Sequence, residues 1–462
     1  MKLAPPTLDG NNKLYMAATI SLVPLIGSVS SVLVWAAFIW ALIRLARQDF
    51  SLETCRSIRL VAMAFAGFFI VEALSGAISF YGWRTFNEIV GNLIFLAFLP
   101  IYSRLRLSER EGVRNVIETT ALGASFVTLG VVLVQVQFLG IRAEGGGGNP
   151  GPFAIACLVV FAITILASLR SIGYRRLAFG IASVAMGSSV LLTSSRSLWP
   201  GLILLPAIIA FIYRGHIRQG LVRLVSVVAV LSMLVLAGSF VLVKDRINEG
   251  IADLKAAEAG EYYSSWGTRL VMWRIGLDLL KEAPLLGYGP GNETSLMEAE
   301  SKKLVDFKLS YGHFHSAPLQ YAIRDGVFGV FALAALFLVP LFAAIRAPRD
   351  ELGSYGLAFI VSVQVAYLLS GVFGIMLGHD ILDTLFVSSM VAGLFFVFEN
   401  PSLKSESNQI RLRNQSPSIR LHGQTSARLF VQRALRTWND TVSIDVPNHR
   451  IAIRPISSEK AA

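Results

Sequence analysis

The chain has 462 residues, 54% of them hydrophobic and 15% charged, with a net charge of +11. A soluble globular domain carries roughly 25% charged residues, so a water-soluble enzyme is excluded as the class for most of this length. The basic residues stand in short segments between apolar runs, which favours a membrane over nucleic acid as the reason for the positive charge. The two cysteines, Cys55 and Cys157, lie far apart in or beside apolar runs, so neither a disulfide framework nor a CxxC metal pair is expected.

Apolar runs fall near 15–28, 30–46, 60–81, 88–103, 117–140, 152–169, 177–194, 198–213, 221–243, 326–346, 354–377 and 381–398. A bilayer core requires about 20 apolar residues per crossing, and only a helix satisfies its own backbone there. The first run has no small-residue cleavage site and reads as retained helix. Residues 15–46 read either as a tight hairpin at Pro24 and Gly27 or as one tilted helix; an even number of crossings favours the hairpin. The expected fold is an all-α polytopic membrane protein of about 12 transmembrane helices with one large outer loop containing an amphipathic helix. Helices 1–9 occupy residues 1–243, the loop 244–325, helices 10–12 residues 326–398, and a basic tail 399–462.

Charge sets the orientation. The inner hairpins carry Arg44, Arg47, Arg56 and Arg59; Arg104, Arg106, Arg110 and Arg114; Arg170, Arg175 and Arg176; Arg214, Arg218 and Arg223; Arg346 and Arg349. The outer ones carry only Arg84, Arg142 and Arg196. This is the positive-inside pattern, and it places both termini in the cytoplasm. Gly145–Gly148 is expected to be a flexible outer turn. Within the large loop, 268–281 reads as an amphipathic helix, with Leu270, Trp273, Leu277 and Leu280 on one face, able to lie along the membrane surface. The tail is expected to be disordered and drawn to anionic headgroups.

Candidates for chemistry are few. Of six histidines, only His313 and His315 sit where the large loop re-enters the membrane, and histidine is the side chain best suited to take a proton near neutral pH. Arg196 is the single charge in a very short outer turn, and an arginine at the edge of hydrocarbon needs a partner or a task. Arg269 and Arg274 lie on the amphipathic segment, where either could contact headgroups or substrate. Glu72 is a charge inside an apolar run, fit to partner an arginine. Gly287–Asn292 is a Gly-rich turn after the amphipathic segment and reads as a helix stop or as part of a site. No carboxylate or histidine spacing suggests a metal site, and no cofactor is expected.

The stretch Tyr311-Gly312-His313-Phe314-His315-Ser316, followed nine residues later by Gly326-Val327-Phe328-Gly329, resembles the signature of the bacterial O-antigen ligase and exopolysaccharide polymerase family. Arg269 four residues before Trp273, the turn Pro284-Leu285-Leu286-Gly287-Tyr288-Gly289 and the pair Ser195-Arg196 are similar to further family features. The resemblance covers about residues 1–400. It implies a GT-C type, metal-independent, inverting glycosyltransferase of the bacterial inner membrane, with the large loop in the periplasm. The donor it implies is a glycan on undecaprenyl diphosphate, and the acceptor a glycan (for a polymerase) or lipid A core (for a ligase); other polysaccharide-assembly proteins and the bilayer are further partners, and nucleic acid is not. It implies His315 as the base, with His313 either orienting it or merely loop. Arg196 and Arg269, with Arg274 in reserve, are implied at the diphosphate, and Ser316, Tyr288, Gly326 and Gly329 as supporting residues. Gly326 and Gly329 would let the tenth helix pack closely on a neighbour. A flippase for lipid-linked oligosaccharide is the alternative, although no internal repeat of the transporter kind is evident. A non-enzymatic scaffold would need neither the arginine nor the histidine set.

The topology is testable directly. A reporter fused at about residue 295 is expected to signal the periplasm and one at about residue 430 the cytoplasm; exchanged signals would overturn the orientation.

Overall fold

A computed structural model describes residues 8–52, 54–214, 240–305, 307–398, 443–446 and 449–452. Among the described residues, ten helices are long and apolar enough to cross a membrane. The expected run at 221–243 lies, up to residue 239, outside the described residues. The first run is helical as α1 (Leu8–Met16), a π-helical segment (Ala17–Ser21) and α2 (Val23–Ile26), and α3 (Val29–Ala46) follows. The chain reverses at Gly27, at φ +51°, and α3 folds back onto the π segment. Residues 15–46 are therefore two helical arms.

The reversal is fixed from outside. Gly146 donates to the Pro24 carbonyl at 3.0 Å, and a Cβ on Gly27 would overlap the Gly146 carbonyl. Gln135 in turn accepts from the amides of Glu144 and Gly145 at 3.1 and 3.0 Å. The Gly145–Gly148 segment, expected to be flexible, is instead a turn pinned between two helices, and its glycines allow the backbone contact.

The remaining elements follow in order: α4 (Arg56–Ile78), α5 (Trp83–Asn92), a 3₁₀ segment (Leu93–Ala97), α6 (Phe98–Leu105), α7 (Arg110–Gln137), α8 (Pro150–Arg170), α9 (Gly173–Leu192) and α10 (Gly201–Tyr213). After the undescribed stretch come α11 (Phe240–Glu258), α12 (Ser265–Glu282), α13 (Glu293–Leu304), α14 (Ala317–Arg346), α15 (Glu351–Phe373) and α16 (Asp380–Val397). Helices α8 and α16 are predominantly apolar and buried along nearly their whole length, as a helix hydrophobic over most of its surface must be; α15 packs against α8, α10, α14 and α16. In the tail, β1 (Ser443–Val446) pairs antiparallel with β2 (His449–Ala452), within a unit of its own.

Two of the arginines that the charge pattern groups, Arg110 and Arg170, form ion pairs at one end of the bundle. Arg110 meets Asp350 at 3.3 Å, Arg170 meets Glu118 at 2.7 Å, and the Tyr213 hydroxyl donates to Glu351 at 3.1 Å. These contacts join the start of α7, the end of α8, the end of α10 and the start of α15 at one end of the bundle.

At the opposite end, α11, α12 and α13 build the large loop. The amphipathic helix is three residues longer at its start than expected, with Ser264 as its cap, accepting from the Gly267 amide at 3.0 Å. Its buried face is a second apolar stripe beside the Leu270–Leu277 one. Val271, Met272, Ile275 and Leu279 are buried with Met297, Leu309, Phe314 and Ile323, whereas Leu270 and Leu277 are exposed. The helix is apolar on two faces, and the 271–275–279 stripe takes the loop's own core.

Gly326 and Gly329 act differently from the expected helix–helix contact. Gly326, at φ +64° and ψ −152°, kinks α14 from within, and a Cβ there would overlap the Leu285 carbonyl. The Gly-rich turn is laced to that kink: Tyr288 donates to the Ile323 carbonyl and Gly289 to that of Arg324, each at 2.8 Å, and Val327 to Pro284 at 2.9 Å. A left-handed backbone costs a non-glycine residue about 1–3 kcal/mol even before the overlap. Gly326→Ala is expected to lower the thermal unfolding midpoint in detergent by several degrees, whereas Phe328→Ala at an exposed position should leave it in place. An unchanged midpoint for Gly326→Ala would contradict this account.

Candidate functional site

One cavity of about 660 Å³ opens at the end of the bundle where the large loop sits. Its walls come from the start of α8, the end of α9, the Arg196–Leu198 turn before α10, the start of α12, the loop before α14 and the end of α15. It brings together Arg196, Arg269, His313 and His315, and adds Arg142, Asn149, Trp266 and Phe373. Its described walls hold three arginines and no carboxylate.

Each cation is placed by local structure. Arg142 donates from Nε and Nη2 to the Thr193 carbonyl at 3.0 and 2.8 Å, closing the C-terminal end of α9, where a positive charge suits the helix dipole. Arg196 opens a short 3₁₀ turn and meets Glu249 of α11 at 3.2 Å, with both side chains partly exposed. Arg269 donates to the Ser265 hydroxyl at 3.0 Å one helical turn back and lies 5.9 Å from the Trp266 ring centroid. Its Nε is buried without a partner, and among the described residues it has no carboxylate partner. Burial, and then the charge of Arg196, hold its pKa below the usual arginine value. A partly desolvated guanidinium beside a second one favours an anion in the space between.

The imidazoles stand against each other. His313 and His315 have ring centroids 4.0 Å apart, and the His315 amide donates to His313 Nδ1 at 3.4 Å. Burial lowers the His313 pKa, with Arg269 acting in the same direction. His315 is pushed down to about 3, by burial first and then by His313 and Arg269, while a hydrogen bond with the Phe373 backbone pulls the other way. The cavity therefore holds His315 neutral, with a nitrogen able to accept a proton.

Two residues at the cavity carry unusual backbone. Ser194 has φ +57° and His315 φ +50°, and among the described non-glycine residues only Gln48 shares that region. Such strain persists where the surroundings fix it, and it concentrates at functional sites.

The other expected site residues lie elsewhere. Arg274 is exposed on α12 and is no part of the cavity wall. The Tyr288 hydroxyl donates to the Leu279 carbonyl at 3.3 Å and to Glu282 at 3.1 Å, and burial and that carboxylate push its pKa up to about 12. Ser316 caps α14, its carbonyl accepting from the Gln320 amide at 2.8 Å. With Gly326 and Gly329, these residues belong to the scaffold behind the cavity.

That scaffold contains a buried ionic cluster that sequence reasoning touched only at Glu72. Arg324, 4% exposed, meets Glu88 at 2.7 Å, Glu293 at 3.2 Å and Glu72 at 3.4 Å, and Asn92 donates to Glu72 at 3.1 Å. The charged pair Arg324-Asp325, immediately before the 326–346 run, is the available signal. Arg142 was visible as one of three outer arginines, but nothing local distinguished it from an interfacial anchor.

Residues 181–334 match the O-antigen ligase family. A Haemophilus influenzae protein described as uncharacterized is 27% identical over 293 residues, which are 61% of this chain and 72% of that protein. A protein of Escherichia coli K12 described as an O-antigen ligase is 24% identical over 260 residues, 54% of this chain and 60% of that one. The matched span holds Arg196, Arg269, His313, His315 and the kink at Gly326, so the part of this multi-span membrane protein that resembles the O-antigen ligase family is the part that builds most of the cavity and its frame.

Proposed function

We propose that this chain is a metal-independent, inverting glycosyltransferase of the bacterial inner membrane. It moves a glycan from undecaprenyl diphosphate to a sugar hydroxyl at the periplasmic face, as a surface-polysaccharide polymerase or an O-antigen ligase. The observation that carries this reading is a cavity with three arginines and a neutral histidine on its walls and no carboxylate among its described lining.

The chemistry follows from charge. A glycosyl lipid diphosphate carries two negative charges. When the acceptor oxygen attacks the anomeric carbon from the opposite face, the bond from that carbon to the diphosphate oxygen breaks. The departing diphosphate takes the electron pair and a third negative charge. Arg196 and Arg269 meet that charge, because fixed guanidinium groups in a dry wall stabilise it most as it develops; Arg142 adds a third positive charge. The acceptor proton passes to the free nitrogen of His315, a step worth about 10²–10⁴ in rate. A bound diphosphate also raises the His315 pKa by placing opposite charge beside it, so the base strengthens when the donor is present. Inversion at the anomeric carbon is the stereochemical result.

His315→Ala and Arg196→Ala are expected to abolish glycan product in complemented cells while the protein still inserts at the normal level, read by gel analysis of surface polysaccharide. Wild-type product from His315→Ala would end the mechanism. In the deletion strain, single repeats accumulating on carrier or core identify a polymerase, and long polymer held on the carrier identifies a ligase.

The pH dependence has a definite sign. With His315 at about 3 in the free protein, kcat/KM should show no acid limb from this group between pH 5 and 8. With donor bound, the raised pKa should give kcat an acid limb of about tenfold per pH unit below it, because protonation removes the acceptor. Profiles of both constants over that range check it, and an acid limb near pH 6.5 in kcat/KM would show that His315 is not desolvated.

A further inference from the structure

The left-handed conformation of His315 has to be held in place, and the residue before it shows how. Phe314 is fully buried, and both its backbone polar groups are engaged by side chains. Its carbonyl accepts from Trp273 Nε1 at 3.1 Å, and its amide donates to Gln320 Oε1 at 2.9 Å. Gln320 stands in the first turn of α14, is 8% exposed, and is not part of the cavity wall.

The far end of the Gln320 amide is tied as well. Its Nε2 donates to Glu293 Oε1 at 2.9 Å, and Glu293 is held by Arg324, which Glu88 and Glu72 hold in turn. Only one orientation of this amide works. Turned over, it would set a donor against the Phe314 N–H and an acceptor against the Glu293 carboxylate. A buried line of polar contacts thus runs from the ionic cluster in the spans to the peptide immediately before His315.

We propose that Gln320 is a positioning residue: anchored on Glu293, it fixes the Phe314 peptide and with it the left-handed turn that presents the His315 imidazole to the cavity. This rests on the reading of His315 as the base. Arg196 and Arg269 sit on other elements, so loosening this turn acts on the proton-transfer step and spares donor binding. Small displacements of a reacting group are enough to cost a large rate factor.

The test uses the full-length protein in nanodiscs with a lipid-linked glycan donor and its acceptor. Gln320→Leu removes both contacts and is expected to lower kcat by about tenfold or more, with the donor KM within about twofold, while the buried groups left unpaired lower the unfolding midpoint by a few degrees. Gln320→Glu keeps an acceptor for Phe314 but sets a carboxylate against Glu293, and should fall similarly. Adding Glu293→Gln restores a donor–acceptor pair with the cluster's total charge unchanged, and the double variant should recover to within about threefold of wild type. Wild-type kcat in Gln320→Leu, alongside an inactive His315→Ala, would overturn the positioning role alone. Activity in His315→Ala would overturn the base itself. If KM rises and the midpoint falls together with kcat in every variant, the contact is purely structural and the proposal fails. Should Gln320→Leu not fold, the exchange variant decides: no recovery over Gln320→Glu sinks the idea.

Discussion

Gathering guanidinium groups around one cavity at the end of a helix bundle is unfavourable through mutual repulsion and desolvation, and the rest of the structure is arranged around making it tolerable. Arg142 is tied to a helix-terminal carbonyl, Arg196 to a partly exposed carboxylate on α11, and Arg269 to a hydroxyl on its own helix. The one carboxylate among these contacts, Glu249, is not part of the cavity's described lining, which is positive in charge. In a wall of lowered dielectric that potential acts strongly on an anion that enters.

A second, opposite solution holds the scaffold. Arg324 is surrounded by Glu72, Glu88 and Glu293, from α4, α5 and α13. A buried ion group of this kind adds little net stability compared with an apolar core, but it is strongly destabilising when half of it is removed. Its effect is registration. It fixes the first half of α14 against two spans and the outer loop, and the backbone stitching of the Gly-rich turn to Ile323 and Arg324 does the same without side chains. The cavity's described lining has arginines and no carboxylate, whereas the frame behind it surrounds its one arginine with three glutamates.

Much of this was legible in the sequence. Spans came from hydrophobic runs, because these are properties of single segments read in order. Arg196, Arg269, His313 and His315 reached one cavity through a motif resemblance that groups residues from separate elements. What could not be read depends on pairing across long distances. The sequence displays the Leu270–Leu277 stripe of α12, but the second stripe, Val271–Ile275–Leu279, forms the loop's core, and only the partner segments decide which is buried. Gly326 looked like a site of close helix packing, whereas its value is a positive φ at a kink, which periodicity does not reveal. Arg142, Gln320 and Glu293 carried no local signal, since each acquires its role from a contact with a distant segment.

The strained residues connect the two halves of the structure. Ser194 and His315 both stand where a chain segment leaves or enters the bundle beside the cavity, and both adopt a conformation that costs energy unless neighbours impose it. At Ser194, the preceding Thr193 carbonyl is held by Arg142, and the Thr193 hydroxyl accepts from the Ser195 amide at 3.1 Å. At His315, the preceding Phe314 is clamped by Trp273 and Gln320. In each case the peptide before the strained residue is fixed by a long side chain from a distant element, and the residue bearing on the cavity inherits its geometry. A freely turning loop would let its imidazole and guanidinium groups drift to water or to the acidic residues of the large loop. Backbone strain imposed from both sides keeps them on a cavity whose described lining includes no carboxylate.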